Sequence, residues 1–268
     1  MQLTMLGTGH ATVTEYYNTC FILQEEELQE NFLVDGGGGN AILQQLKKAG
    51  IDCNSIHQMF VTHKHMDHLM GILWMIRIIC QNIRNGSYEG DAYIYAHEEV
   101  VEMISSICRM LLMERQVVYL GDRVHLIAVA DGECRTILGK NVTFFDIHSD
   151  KAKQFGFSME LAEGERLTCC GDEPYHECNE AYVKGSKWLM HEAFCLSSQA
   201  DIFRPYEKNH STVKDACETA ERLNVDHLIL YHTEDQNIKD RRELYLTEGQ
   251  KYYHGKLYVP EDLEKITL

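Results

Sequence analysis

The stretch Val61-Thr62-His63-Lys64-His65-Met66-Asp67-His68-Leu69-Met70-Gly71 constrains this chain more than any other. Four groups able to bind a metal, His63, His65, Asp67 and His68, fall within six residues. The apolar run Met59-Phe60-Val61 precedes them, and Leu69, Ile72, Leu73, Ile76, Ile79 and Ile83 follow at helical spacing. The cluster therefore sits where a buried strand ends and a helix begins. Alternation along an extended segment puts His63 and His65 on one side. Asp67 and His68 are adjacent and, as the helix starts, point in different directions. This suggests two neighbouring metal sites rather than one. Imidazole with carboxylate suits zinc, and also manganese or iron. Surface histidines at a helix start are the bland alternative. Uncoordinated polar crowding at an apolar strand end would be costly, which counts against it.

Two sites need further ligands, and strand ends are where to look. His148 ends Phe144-Phe145-Asp146-Ile147, Asp172 follows Thr168-Cys169-Cys170-Gly171, and His232 ends Leu228-Ile229-Leu230-Tyr231. Any one of them alone reads as well as a cap or a surface residue. All three at the tips of buried strands form a coherent set.

Elsewhere the pattern alternates strands and helices. Strands are expected at residues 2–6, 19–23, 31–34, 56–61 and 92–96, then at 124–130, 134–138, 142–147, 155–161, 165–170, 187–193 and 227–231. Gly7-Thr8-Gly9 reads as a turn and Glu25-Glu26-Glu27 as a solvated hairpin. Helices are expected at 41–49, ending on the C-cap Gly50, and at 98–113, 213–223 and 238–246. The run Gly36-Gly37-Gly38-Gly39 lacks the Gly-Lys-Ser/Thr ending of a P-loop. It reads as a bend that lets the backbone pass close to the metals. Asp35, just before it, fits either a residue orienting a histidine ligand or a helix cap. Two strand-rich halves, roughly 1–123 and 124–268, with helices outside them predict an α/β fold: two sheets face to face in a four-layer αβ/βα sandwich. With three prolines and no long polar linker, the 268 residues are expected to form a single domain, 1–268.

No apolar run approaches the ~20 residues of a membrane span, and Met1-Gln2-Leu3-Thr4-Met5 has no basic stretch or apolar signal core. The chain reads as cytoplasmic, with no membrane partner. Its ten cysteines include no CxxC pair, and Cys20, Cys80, Cys108, Cys195 and Cys217 lie in apolar patterns, so reduced thiols are expected. The net charge of -16 opposes non-specific nucleic-acid binding.

The form His-x-His-x-Asp-His after a strand resembles the signature of the metallo-β-lactamase superfamily. Leu189-Met190-His191-Glu192-Ala193 and His210-Ser211-Thr212 resemble the His-Glu-Ala-Thr and His-Ser-Thr motifs of ribonuclease Z and its close relatives. His148-Ser149 with Phe155-Gly156-Phe157, Leu6-Gly7-Thr8-Gly9 and Asn18-Thr19 fit the same branch, so the resemblance covers nearly the whole chain. One departure is Phe194-Cys195 after Ala193, where the motif's Thr is absent.

The resemblance implies the metallo-β-lactamase type of sandwich and a dinuclear metal-dependent hydrolase holding two divalent ions, Zn2+ foremost, with Mn2+ or Fe2+ as alternatives. His63, His65 and His148 would bind one ion, Asp67, His68 and His232 the other, and Asp172 would bridge them. His65 stands where the oxygen-reducing diiron branch usually has Glu, which favours a hydrolase. The implied chemistry is a ribonuclease Z-like phosphodiesterase (a nuclease-type reaction) with a metal-bridging hydroxide as attacking group. Asp67 would act as base, and His210, oriented by Glu192, as acid. Ser211 and Thr212 are good N-caps for a helix carrying Val213, Ala216, Cys217, Ala220 and Leu223. Because a helix start binds anions, His210, Ser211 and Thr212 are also expected to bind substrate. The alternatives are an arylsulfatase-like or a lactone or thioester hydrolase on the same metals, and a metal-binding protein without catalysis.

Ribonuclease Z proper carries an extended basic arm between the strands that end here at His148 and Asp172. Only 23 residues, 149–171, separate those positions, and two strands and the turn Glu163-Gly164 take up most of them. Lys151, Lys153 and Arg166 stand against Asp150, Glu160, Glu163 and Glu165. The expected substrates are therefore small or short single-stranded phosphodiesters, with precursor tRNA a poor one. A homodimer is left open.

Overall fold

The computed structural model describes residues 1–25 and 28–268, so most of the acidic hairpin at Glu25-Glu26-Glu27 lies outside the described residues. Strands β1 (Gln2–Gly7), β2 (Cys20–Glu25), β3 (Glu30–Val34), β4 (Ile56–Phe60), β5 (Ala92–Ala96) and β6 (Val124–Ala128) build one sheet. Strands β7 (Cys134–Ile137), β8 (Lys140–Asp146), β9 (Phe155–Ala162), β10 (Glu165–Cys169), β11 (Trp188–Glu192), β12 (His227–Tyr231) and β13 (Lys256–Tyr258) build the other. The last strand, β14 (Lys265–Thr267), returns to the first sheet beside β1. The orders are β14-β1-β2-β3-β4-β5-β6 and β13-β12-β11-β10-β9-β8-β7.

Alternation along each strand sends one set of side chains between the sheets. Phe21, Phe32, Phe60, Phe144 and Phe157 are buried there, with Phe157 edge-on to both Phe32 and Phe60. The outer face of the first sheet is covered by helices Ala41–Ala49, Met66–Asn85 and Glu98–Leu111 through Ile42, Leu46, Ile72, Ile76 and Ile104. Helices Val213–Arg222 and Arg241–Gly249 cover the second through Val213, Ala216, Cys217 and Tyr245. The result is the four-layer αβ/βα sandwich expected from the pattern.

Three expectations shift. The sheets divide after β6, not at 123/124, because Val124–Ala128 pairs in parallel with β5, and β14 crosses back to the first sheet. Strands β13 and β14, three residues each, carry too little pattern to be anticipated. The helix expected at 238–246 spans Arg241–Gly249, because the Glu234 carboxylate accepts the amides of Gln236 and Asn237 and holds the preceding segment as a turn.

Strands β10, β11, β12 and β13 are mutually parallel, as are β3, β4, β5 and β6. Asp172, Glu192 and His232 therefore lie at neighbouring strand ends, and His63 follows the corresponding end of β4. The crevice at the carboxyl ends of parallel strands is where such folds bind ligands.

Candidate metal centre and cleft

Helix Met66–Asn85 starts with His65 in extended conformation at its N-cap, so the backbone changes course within the motif. His63 Nε2 lies 2.8 Å from His65 Nδ1 and 3.7 Å from Asp172 Oδ2. His68 Nε2 lies 3.3 Å from Asp67 Oδ2 and 3.5 Å from Asp172 Oδ2. His232 Nε2 lies 3.7 Å from Asp67 Oδ2 and 3.5 Å from Asp172 Oδ2. Donor atoms of His63, His65 and Asp172 fall within 4.8 Å of one another, and so do those of Asp67, His68 and His232. Asp172 Oδ2 stands between the two groups.

All of these residues except His65 are buried. Nε2 of His68 and both ring nitrogens of His232 have no hydrogen-bond partner among the described residues. Buried polar atoms left so are uncommon and costly. Nitrogen donors converging on carboxylate oxygens fit divalent cations, which would satisfy them.

The charges agree. Burial drives His63 well below the ordinary histidine range, against the pull of Asp172, and so favours the neutral, metal-binding imidazole. Burial alone would raise the Asp172 carboxyl, but His63, His68 and His232 hold it well below the usual range. At His68 burial is outweighed by Asp35 and Asp67, which push it up. The same carboxylates would attract a cation.

A supporting layer fixes these groups. Asp35, with φ 56, accepts from Thr62 N and Thr62 Oγ1 at 2.8 Å each, and its Oδ2 lies 2.7 Å from His68 Nδ1. Of the two readings of Asp35, the structure therefore has the histidine-orienting one, while the N-cap of helix Ala41–Ala49 is Asn40. The glycine run is a close approach, as expected. A Cβ on Gly36 would lie 2.4 Å from Ile72 N, at the helix that carries Asp67 and His68. Gln154, not anticipated from sequence, donates from Nε2 to Asp172 Oδ1 at 2.6 Å and so leaves Oδ2 to the histidines.

His148 is not brought into the cluster. Its backbone is left-handed (φ 62), its side chain is 52% exposed, and Nδ1 lies 3.7 Å from Asp146 Oδ2. The Asp146 carboxylate folds back to accept the His148 amide, and this turns the ring outward. The donor group containing His63 and His65 is completed by Asp172 instead.

The centre opens into a cleft of about 250 Å³ with His65, Asp67, Asp172 and His232 at its base. His10, Thr12, Phe194, Lys208 and His210 line it further, with the His10 and Phe194 rings in contact. His210 Nδ1 lies 3.5 Å from Glu192 Oε2, and neither atom has a hydrogen-bond partner among the described residues. Donor atoms of Glu192, His210 and His232 also fall within 4.8 Å of one another.

Thr212 is the N-cap of helix Val213–Arg222, as expected, but neither Ser211 nor Thr212 lines the cleft as a substrate-binding group would. The Ser211 hydroxyl donates to Glu192 Oε1 at 2.6 Å, and the Thr212 hydroxyl pairs with Asp215 in a capping box. Both are buried and absent from the cleft lining, because their hydroxyls are committed inside the protein. They anchor the segment that presents His210 instead of facing a substrate.

His10 escaped the sequence reading, and only the turn Gly7-Thr8-Gly9 before it hinted at a special position. Burial first, then His232, His210 and Lys208, pull it down to about 4, so it is a neutral imidazole.

Comparison with known proteins gives a consistent picture. A family model described as "Anti-Pycsar protein Apyc1" matches residues 1–252. The chain is 26% identical over 296 residues to a ribonuclease Z from Pyrobaculum neutrophilum, covering 99% of this chain and 98% of that protein. The metallo-β-lactamase fold protein YhfI from Bacillus subtilis superposes with a TM-score of 0.79 at 16% identity, covering 99% of this chain and 98% of its own. The short form of human tRNase Z gives 0.74 at 21% identity, covering 100% and 99%.

Proposed function

Because the chain belongs to the family described as "Anti-Pycsar protein Apyc1", and is a ribonuclease Z-like metal-dependent hydrolase of the metallo-β-lactamase fold, we propose that it is a dinuclear phosphodiesterase for small or short single-stranded substrates. The observation that carries this reading is the unpartnered His210 Nδ1 beside Glu192 Oε2, on the wall of the cleft above the two donor groups.

His63, His65 and Asp172 would hold one ion, and Asp67, His68 and His232 the other, with Asp172 reaching both. Zinc suits this donor set, with manganese or iron as alternatives. When bound, such ions supply Lewis acidity and a water that loses its proton near neutral pH. Asp67 orients the attacking water and takes its proton. Glu192, beside Nδ1, orients the ring of His210, and His210 in its imidazolium form protonates the leaving oxygen through its other ring nitrogen. No side-chain nucleophile is required.

The limit on substrate size follows from the hairpin. Strands β9 and β10 occupy most of residues 149–171, so nothing there extends as an RNA-gripping arm. The net charge of -16 gives no general attraction for a long polyanion. No helix among the described residues is long and apolar enough to cross a membrane, and the ten cysteines are unpaired, which supports a place in the reducing cytoplasm. A homodimer would use the exposed apolar side chains Met110, Leu111, Met113 and Val118, and light scattering of the purified chain tests it.

The function is tested by assaying the metal-loaded chain on bis-p-nitrophenyl phosphate, p-nitrophenyl sulfate and a lactone, then on a cyclic nucleotide, a short oligonucleotide and a precursor tRNA. Turnover of the phosphodiesters is expected, with low kcat/KM on the tRNA. Turnover of the sulfate or the lactone alone would move the assignment to those ester classes. Efficient 3′ trimming of the tRNA at moderate salt would overturn the size argument.

A further inference from the structure

Phe194, the residue that departs from the related motif, is the point on which one wall of the cleft is built. Its ring is 2% exposed. Its backbone is clamped on both sides: N donates to Ser211 O at 2.9 Å, and O accepts from Glu234 N at 2.9 Å and Tyr245 OH at 3.1 Å. The His210 ring stacks on it at 4.9 Å between centroids with a 12° tilt. The His10 ring meets it at 4.6 Å, and Lys208 Nζ lies 4.8 Å from its centroid.

The chain makes this possible over five residues. Tyr206–Lys208 is a single 3-10 turn, Asn209 is left-handed (φ 51), and His210 N donates back to Pro205 O at 2.9 Å. Lys208 and His210, two positions apart, thereby reach the same ring.

The two lysines of the cleft differ. Lys151 Nζ lies 3.5 Å from Glu173 Oε1, so its charge is partly offset. The Lys208 ammonium lies over an aromatic ring instead of against a carboxylate among the described residues. A ring quadrupole holds a cation without neutralising it. Lys208 therefore keeps a full positive charge at the cleft, in a chain whose overall charge is -16.

We propose that Lys208, held over Phe194, is a specificity-determining residue that binds the anionic phosphoryl group of the substrate, and that Phe194 is a positioning residue for both Lys208 and His210. This rests on the phosphodiesterase reading above. A neutral lactone or thioester gains nothing from such a charge, whereas a phosphodiester carries one negative charge to meet it.

The test compares Lys208→Met, which keeps length and loses charge, with the unaltered metal-loaded chain. KM for bis-p-nitrophenyl phosphate should rise about tenfold, the order expected when one charge contact worth ~1.4 kcal/mol is removed. kcat should fall much less, and the dependence of kcat/KM on salt should weaken. Calorimetric titration with inorganic phosphate should show a matching loss of affinity. Unchanged KM and unchanged phosphate affinity would overturn the proposal.

Phe194→Leu should raise KM as Lys208→Met does and also slow substrates with poor leaving groups, while Phe194→Tyr, which keeps the ring face, should restore both. A Phe194 that merely fills space would lower Tm without that split between KM and leaving-group effects. Should Phe194→Leu not fold, Lys208→Met, at an exposed side chain, still decides. Should the unaltered chain cleave no phosphodiester, the function assignment fails by itself, and the phosphate titration of the two proteins still decides the role of Lys208.

Discussion

Asp35 Oδ2 and His68 Nδ1 lie 2.7 Å apart, so a residue from the end of β3 sets which nitrogen of His68 faces the centre. The bond also runs to Thr62, whose hydroxyl lies 2.9 Å from His63 Nδ1. One carboxylate thereby orients a histidine of each donor group. Partners of this kind typically contribute 10–100-fold in metal affinity. Asp35→Asn is predicted to weaken metal binding by about that range while leaving the chain folded, read by competition with a chromophoric chelator. Unaltered affinity would reduce Asp35 to a packing residue.

Two equivalents of divalent metal are predicted for chain purified without chelator, one for each donor group. Elemental analysis measures this, and a folded chain that takes up a single ion under metal excess would refute the dinuclear assignment. Chelation should lower Tm and zinc should restore it, because a ligand that binds only the native state stabilises it.

His210→Ala should retain both ions and lose roughly 10²–10⁴-fold in rate on substrates with poor leaving groups. The loss should shrink for p-nitrophenolate esters, which need little protonation. Equal losses for both kinds would assign His210 to binding or structure instead.

Arg241 ties distant segments together without touching the cleft. It is fully buried, and its guanidinium donates to Thr8 Oγ1, Thr233 Oγ1 and Pro260 O, pairs with Glu261 at 3.1 Å and stacks 4.0 Å from the Tyr16 ring. Arg241→Met should destabilise by about 3 kcal/mol, measured by urea unfolding, because buried acceptors lose their donors. Arg241→Lys should not rescue it, since an ammonium cannot span the same fork. A loss below about 1 kcal/mol, the range of ordinary surface pairs, would contradict this.

The centre was legible where chemistry is written locally. His63, His65, Asp67 and His68 fall within six residues, Asp172 follows the end of β10, and His232 ends the strongly apolar β12. What escaped depends on contacts across the fold. His148 also ends an apolar strand, yet the Asp146 carboxylate turns its ring outward, and no spacing rule encodes that. Gln154 meets Asp172 across 18 positions, and His10 acquires its surroundings from Phe194 and His232 far along the chain. Ser211 and Thr212 were recognisable as helix-start residues, but which acceptors take their hydroxyls is a tertiary matter. The layers followed from strand and helix periodicity, while β13 and β14 are edge pairings of three residues each.

Asp262 accepts both the amide and the hydroxyl of Thr8, each at 2.9 Å, and the amide of Tyr17 at 2.6 Å, so it pins both ends of the loop that carries His10. The seat of a cleft residue near position 10 is thus held by a side chain near position 262, so a change at Asp262 would be felt at the cleft without touching any residue of the donor groups.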